Sequence, residues 1–106
     1  MQTRRIGSLD VSLLGLGCNN FGMRIDAAQT DLVVGAAIDA GVTYFDTANA
    51  YGGGQSEEII GSYLKAHPGK RDRLVIGSKF SGNMHPGDPN GGGGGRKAII
   101  HQLDAS

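Results

Sequence analysis

The stretch that decides the fold runs from residue 43 to residue 57 and reads Thr43-Tyr-Phe-Asp-Thr-Ala-Asn-Ala-Tyr-Gly-Gly-Gly-Gln-Ser-Glu57. It continues an apolar, strand-forming run, which ends abruptly at Asp46. Tyr51 follows five residues later, in a glycine-rich turn that leads into a helix start. A carboxylate at a strand end, with a phenol on the loop beyond it, predicts a reactive cleft rather than an ordinary surface turn.

A hairpin, a strand and a helix are predicted before this stretch. Residues 1–7 and 9–14 are strand-like pieces around a turn, and residues 13–18 are predicted as a short buried strand. Asp26 is predicted to cap the helix that follows, with Gln29 completing a capping box. Apolar residues at helical spacing are expected to face inward, namely Leu32, Val33, Ala36, Ala37 and Ala40.

Strands and helices continue to alternate after Gly41. The predicted elements are a strand at 42–46, a helix that Ser56 caps, a strand at 74–80, a loop at 81–95 and a helix from Arg96. Strands joined through helices make right-handed crossovers and a parallel sheet, so the predicted fold class is α/β. An open doubly wound sheet and a closed (β/α)8 barrel both share this beginning, and both bind ligands at the carboxyl ends of their strands.

Three side chains are predicted to meet at that rim. Asp46 ends the second parallel strand and Lys79 lies near the end of the third, so the two should pair. Tyr51 could bring its hydroxyl over Lys79. A phenol is a poor acid at neutral pH, but a neighbouring ammonium favours the phenolate and makes a better general acid. The alternatives are a plain structural ion pair and a tyrosine that only anchors its loop.

Alternation along the strands makes this prediction specific. If Lys79 points into the cleft, Val75 and Gly77 share its face, whereas Ile76 faces the helices. By the same rule Tyr44 shares a face with Asp46.

Composition and spacing exclude several classes of site. With 10 basic and 10 acidic residues among 106, the chain has no electrostatic footprint for nucleic acid or an anionic membrane. Its one cysteine, Cys18, excludes an internal disulfide, agrees with a reducing cytoplasm, and is predicted to pack rather than react. The three histidines lack metal-ligand spacing, so no metal site is predicted. The glycines after the third strand-like piece do not fit a dinucleotide-binding G-x-G-x-x-G, because residue 20 is Asn20.

Four blocks of sequence resemble the aldo-keto reductase family. They are Gly15-Leu-Gly17-Cys-Asn-Asn-Phe-Gly22, Gly41-Val-Thr-Tyr-Phe-Asp46-Thr-Ala-Asn-Ala-Tyr51-Gly, Ser56-Glu-Glu-Ile-Ile-Gly61 and Val75-Ile-Gly-Ser-Lys79-Phe. The loops look closest to those of bacterial reductases and potassium-channel β-subunits. The resemblance implies that residues 1–106 form an incomplete, N-terminal portion of a (β/α)8 TIM barrel, with an N-terminal β-hairpin and about three of the eight parallel strands.

The resemblance also implies an activity. The family reduces aldehydes or ketones to alcohols with NADP as cofactor, so a small-molecule carbonyl or alcohol is the expected substrate and the cytoplasm the expected location. Tyr51 would be the proton donor, and Asp46 and Lys79 would tune it. The residues that match the family's cofactor contacts are Gly17, Cys18, Asn19, Arg24 and Asp46.

One catalytic member of the family pattern has no counterpart. The family's catalytic histidine follows the fourth barrel strand, and His101 lies on a predicted helix instead. We therefore expect residues 1–106 alone to be inactive. A cofactor-binding regulatory or sensor protein that keeps the reductase architecture is the alternative, and a non-functional relic is a third possibility.

Overall fold

Strands and helices alternate along the chain, and the computed structural model describes residues 1–106. The strands are β1 (Thr3–Ile6), β2 (Leu9–Ser12), β3 (Gly15–Gly17), β4 (Tyr44–Asp46) and β5 (Val75–Gly77). The α-helices are α1 (Ala27–Asp39), α2 (Gln55–Ala66) and α3 (Arg96–Ala105), and two short 3₁₀ turns lie at Tyr51–Gly54 and Arg71–Arg73. The predicted order of hairpin, β-α-β-α-β and final helix is confirmed.

The strands form two separate sheets. β1 and β2 pair as an antiparallel hairpin, and β3, β4 and β5 form a parallel sheet in that order. At the carboxyl end of this sheet Gly17 pairs with Asp46, and Asp46 pairs with Gly77. The three strands therefore end at one rim, which is where an α/β sheet binds its ligands.

The central strands are shorter than predicted. β3 covers only part of 13–18, and Leu13 and Leu14 are 52% and 62% exposed, so the prediction of a buried strand is wrong there. β3 pairs on one side only, with β4, so no second strand covers its flank. β5 covers only part of 74–80. The pairing does continue past its end, however, because the Asn49 N–H donates to the Lys79 carbonyl at 3.1 Å.

Helices α1 and α2 cover only one face of the parallel sheet. Phe45 of β4 lies in one buried cluster with Val34 of α1 and Ile60 of α2. Tyr44, the preceding residue, lies on the opposite face, where its hydroxyl approaches Gly77. A doubly wound sheet carries helices on both faces, whereas a barrel carries them only outside. Right-handed crossovers between strands that neighbour one another in chain order put both helices on one face, so a barrel and one half of a doubly wound sheet share this layer.

The cap of α1 is as predicted, but its buried face is not. Asp26 and Gln29 form the capping box. The residues that turn inward are Thr30 and Val34, while Leu32 is 76% exposed. Thr30 can be buried because its hydroxyl donates to the Asp26 carbonyl at 2.8 Å, which leaves no polar group unsatisfied. The prediction of an inward stripe through Leu32 is therefore wrong.

Helix α2 begins without the predicted serine cap. It follows Gly54, whose φ of 102° lies in the left-handed region that glycine tolerates. Ser56 is already inside the first turn and fully buried, and its hydroxyl bonds to other elements instead of capping. Glu57 and Glu58 do lie in the first turn, where they complement the helix dipole.

None of the helices combines the length and the apolar character that crossing a membrane would need.

Candidate functional site

Asp46 and Lys79 meet at the carboxyl rim of the sheet. Asp46 is the last residue of β4, and Lys79 lies two residues beyond the end of β5. The Lys79 ammonium donates to Asp46 Oδ1 at 2.5 Å, which confirms the predicted pairing. It also donates to the backbone carbonyl of Thr47 at 2.9 Å, so the lysine is held by a side chain and by the main chain.

Tyr51 supplies the third acceptor of this ammonium. Lys79 Nζ lies 3.2 Å from the Tyr51 hydroxyl oxygen, to which it donates, and 4.9 Å from the centre of the tyrosine ring. The three N–H groups of the ammonium are thus matched by three oxygens. The hydrogen bond with Asp46, and secondly that with Tyr51, raises the pKa of Lys79 above its ordinary value. The lysine therefore remains an ammonium at physiological pH.

The Gly52–Gly53–Gly54 turn directs Tyr51 towards Lys79. All three glycines have positive φ, at 60°, 66° and 102°. A Cβ on Gly52 would lie 2.9 Å from the carbonyl oxygen of Phe21, so glycine is also needed there for space. Glycine adopts this left-handed backbone conformation readily, whereas other residues adopt it only at an energetic cost.

The site is open to solvent on one side and closed on the other. The side chains of Lys79 and Asp46 are 49% and 45% exposed, so a small molecule can reach them. Tyr44 shares the Asp46 face, as predicted from strand alternation, and its ring lies beneath the site against Gly15 and Gly77. A Cβ on either glycine would come within 2.9 Å of the Tyr44 side chain, so the two glycines make room for this aromatic floor.

The residues predicted to contact a cofactor lie in different environments. Gly17 and Asn19 are exposed at the end of β3, and the register places Gly17 beside Asp46. Arg24 is exposed in the following loop, and its side chain forms no hydrogen bond or ion pair. The amide of Asn19 and the carboxylate of Asp46, at the ends of adjacent strands, fit a ligand that carries a carboxamide and hydroxyls, as a nicotinamide nucleotide does.

Cys18 differs from these residues because it is fully buried. Its side chain is 0% exposed, and its N–H donates to the Asp46 carbonyl at 2.9 Å. Burial raises the pKa of the Cys18 thiol from 9.0 to about 11. Cys18 is thus the packing residue predicted from its surroundings, and its side chain cannot touch a ligand in this structure.

We expect Cys18 to resist alkylation while the protein is folded. A rise of the thiol pKa from 9.0 to about 11 lowers the thiolate fraction at pH 8 by about 10², and burial slows the reaction further. Because the unfolded thiol ionises first, the stabilisation from the neutral thiol is complete below pH 9 and is lost as pH rises towards 11. The measurement is the iodoacetamide reaction rate of Cys18 by mass spectrometry, with and without urea, in a complete barrel that contains residues 1–106; equal rates would contradict this expectation.

Sequence reasoning did not predict that Thr47 and Ser56 form a buried hydrogen bond behind the site. Thr47 is 1% exposed and Ser56 is fully buried, and their hydroxyl oxygens lie 2.8 Å apart. One signal was present in the sequence. Strand alternation turns the residue after Asp46 towards the helices, so a threonine there needs a polar partner in the core.

The histidine, cysteine and carboxylate side chains do not form a cluster that could hold a metal ion. No group of three His, Cys, Asp or Glu side chains converges in the chain. His67 and His101 are exposed, as predicted, and His67 stacks on Tyr63 with ring centres 4.1 Å apart.

Comparison with known proteins identifies the family. Residues 13–106 match the profile of the aldo/keto reductase family. The whole chain is similar to L-glyceraldehyde 3-phosphate reductase of Escherichia coli K12, with 39% identity over 113 residues that make up 32% of that protein. It is similar to a probable voltage-gated potassium channel subunit beta of rice, with 34% identity over the whole chain and 33% of that protein. Among shorter proteins, 79% of the chain matches 90% of an uncharacterised 11.2 kDa protein of Pseudescherichia vulneris at 31% identity.

A solved structure supports the same assignment. The fold is similar to that of an aldo-keto reductase from Bacillus halodurans in its holo form, with a TM-score of 0.70 and 30% identity. The similarity covers 84% of this chain and 29% of that one. The chain thus spans about a third of the length of the full reductases and channel subunits it matches, and its three-stranded sheet is part of a TIM barrel.

Proposed function

This chain belongs to the aldo/keto reductase family, and we propose from that premise that it forms the N-terminal part of an NADP-dependent oxidoreductase that reduces aldehydes or ketones to alcohols. One observation carries the proposal: a single ammonium, Lys79, is hydrogen-bonded to both Asp46 and Tyr51 at the ligand-binding rim. A structural ion pair would not need the phenol. We place the protein in the cytoplasm, in keeping with its one reduced cysteine.

Tyr51 is the proton donor in this proposal. A nicotinamide cofactor, when bound, supplies the hydride to the carbonyl carbon. Tyr51 Oη gives its proton to the carbonyl oxygen, which becomes the alcohol. Lys79 Nζ stabilises the phenolate that remains, and Asp46 keeps Lys79 charged and oriented. Because the ammonium already donates to Tyr51, little rearrangement is needed as charge develops on the phenol.

The cofactor would lie along the end of β3 and the loop after it. Asn19 and Asp46 would hold the nicotinamide end, over the side-chain-free surface at Gly17. Arg24, which has no partner within the chain, would meet a negatively charged part of the cofactor. Cys18 would contribute through the backbone geometry of this loop, since its side chain is buried.

Residues 1–106 alone are proposed to be inactive, so the function is tested in a complete barrel. We call this barrel the hybrid reductase: it is the E. coli L-glyceraldehyde 3-phosphate reductase in which residues 1–106 of this chain replace the matching segment. That segment makes up 32% of the E. coli protein. We expect carbonyl-dependent NADPH oxidation with L-glyceraldehyde 3-phosphate or another aldehyde. The unaltered E. coli enzyme serves as the positive control, and the hybrid carrying Lys79→Met as the negative one.

A second candidate function has support from the potassium channel β-subunits among the relatives. In that case the rim would bind the cofactor for regulation, without turnover. The hybrid reductase separates the two candidates. A folded hybrid that quenches or enhances NADPH fluorescence but oxidises none of it in the presence of aldehydes would favour the regulatory function and contradict the enzymatic one.

The aromatic floor of the site gives a stability prediction. Gly77→Ala places a methyl group against the Tyr44 hydroxyl, at a Cβ distance of 2.7 Å, and should lower the free energy of unfolding of the hybrid reductase by about 1–3 kcal/mol. Gly61→Ala is the matched control, because nothing lies within 4 Å of a Cβ at that α2 position. This control should be neutral or stabilising by up to about 1 kcal/mol. Urea denaturation measures both, and equal midpoints for the two variants would contradict the prediction.

A further inference from the structure

A buried pair of hydroxyls lies directly behind the rim. Thr47 follows Asp46 in the chain, and Ser56 lies in the first turn of α2. Their oxygens are 2.8 Å apart, and neither residue is more than 1% exposed. The two hydroxyls do not face the ligand, and the reaction proposed above does not use them.

The surrounding contacts determine which hydroxyl is the donor. Ser56 donates its only hydroxyl proton to the carbonyl of Cys18 at 2.9 Å. Thr47 must therefore donate to Ser56 Oγ. The Cys18 N–H in turn donates to the Asp46 carbonyl at 2.9 Å, so the ring of contacts closes on the residue before Thr47. The end of β3, the end of β4 and the start of α2 are tied together at one point.

Thr47 connects this buried ring to the exposed site. Its side chain points away from the rim and bonds to Ser56, whereas its carbonyl oxygen accepts from Lys79 Nζ at 2.9 Å. Its N–H donates to the Gly77 carbonyl at 2.8 Å. Any rotation of the peptide after Thr47 would therefore move an acceptor of the ammonium away from Lys79.

The same hydrogen bond also closes the loop that carries Tyr51. Residues 48–55 connect Thr47 to Ser56 of α2, and Tyr51 lies between these two ends. This loop contains three consecutive glycines with positive φ, which have more conformational freedom than other residues. The Asn49 N–H holds the first part of this loop on the Lys79 carbonyl at 3.1 Å, and the hydroxyl pair joins its two ends.

We propose, on the basis of the reductase function proposed above, that the Thr47–Ser56 hydrogen bond positions the proton donor. It holds the Thr47 carbonyl against Lys79 Nζ, and it holds together the two ends of the loop at residues 48–55 that carries Tyr51. The phenol and the ammonium therefore stay within hydrogen-bonding distance. Thr47 and Ser56 are thus positioning residues, which act through Lys79 and Tyr51 and do not touch the substrate.

The test compares two buried threonines in the hybrid reductase. Thr47→Val removes the hydroxyl with little change in shape, and we expect kcat to fall about tenfold while KM changes less than about threefold. Thr47→Ser restores the donor and should bring kcat back to within about threefold. Thr30→Val is the matched control. Thr30 of α1 is also fully buried, and its hydroxyl donates to the Asp26 carbonyl. Removal of this hydroxyl should leave kcat unchanged.

A double-mutant cycle distinguishes positioning from general stability. If Thr47 acts through Tyr51, then Thr47→Val should lower kcat by less than about twofold once Tyr51→Phe is present. The full tenfold loss in that background, or an equal loss for Thr30→Val, would overturn the proposal.

A second readout does not depend on turnover. Loss of the Thr47–Ser56 hydrogen bond loosens the strand end beside Cys18, so Thr47→Val should raise the alkylation rate of Cys18 at least about fivefold, and Thr47→Ser should not. An unchanged rate in Thr47→Val would overturn the proposal. A hybrid that folds but has no activity with any variant would contradict the proposed reductase function, and the alkylation rates would still decide whether the hydrogen bond organises the rim.

Discussion

Tyr51→Phe is expected to lower kcat of the hybrid reductase by about 10² or more, because it removes the proposed proton donor and leaves the ring in place. The loss should appear in kcat rather than in the affinity for NADPH, since the proposed mechanism uses the phenol hydroxyl in the chemical step. The measurements are steady-state kinetics with an aldehyde and a titration of NADPH fluorescence. A decrease in kcat with an unchanged cofactor affinity is the expected result.

Tyr63→Phe provides the control for this prediction. Tyr63 is a buried tyrosine of α2, whose ring packs in the hydrophobic core and stacks on His67, and it forms no hydrogen bond to the rim. Removal of the Tyr63 hydroxyl should keep kcat within about twofold of the value for the unsubstituted hybrid reductase. If Tyr51→Phe keeps nearly full carbonyl reduction, Tyr51 is not the donor, and the Lys79–Asp46 contact is a structural ion pair.

Residues 1–106 expressed alone are expected to show no NADPH oxidation and no cooperative unfolding transition. The structure gives two physical reasons. Only 17 of 106 residues are buried, and several large apolar side chains are exposed, among them Leu13 and Leu14 beside β3 and Ile99, Ile100 and Leu103 on α3. The outer edges of β3 and β5 also have no strand partner, which favours aggregation.

Circular dichroism during heating and size-exclusion chromatography test this second prediction, with the hybrid reductase as the folded control. The Cys18 alkylation rate adds a local measure, because a loosely folded chain exposes the thiol. A monomeric 106-residue chain with a sharp transition, slow alkylation and measurable turnover would contradict the prediction. Such a result would mean that three strands and their helices are enough for both folding and catalysis.

The group of Asp46, Tyr51 and Lys79 was accessible to sequence reasoning because its members follow simple rules of strand geometry. Asp46 and Lys79 come at the ends of successive parallel strands, and such ends share a rim. Tyr51 comes in the first loop beyond that rim. The contacts of Lys79 with Asp46 and Tyr51 were predicted for this reason, and their role in catalysis stays a prediction.

The buried face of α1 shows where sequence patterns were insufficient. Apolar spacing favoured a stripe through Leu32, yet Thr30 and Val34 turn inward. A threonine counts as polar in such a pattern. Its bond to the Asp26 carbonyl removes the cost of burial, and this compensation depends on backbone geometry rather than on residue type.

The sequence by itself determined the order of elements, the family and the three residues at the rim, because period, turn chemistry and strand ends are local properties. Only the tertiary structure decided that α1 and α2 lie on a single face of the sheet, that the side chain of Cys18 packs in the core and does not contact a cofactor, and that Ser56 bonds to Thr47 instead of capping its helix. Each of these depends on which groups from distant parts of the chain meet in the core. A buried hydroxyl takes whichever partner the packing brings to it, and the sequence around Ser56 carries no record of that partner.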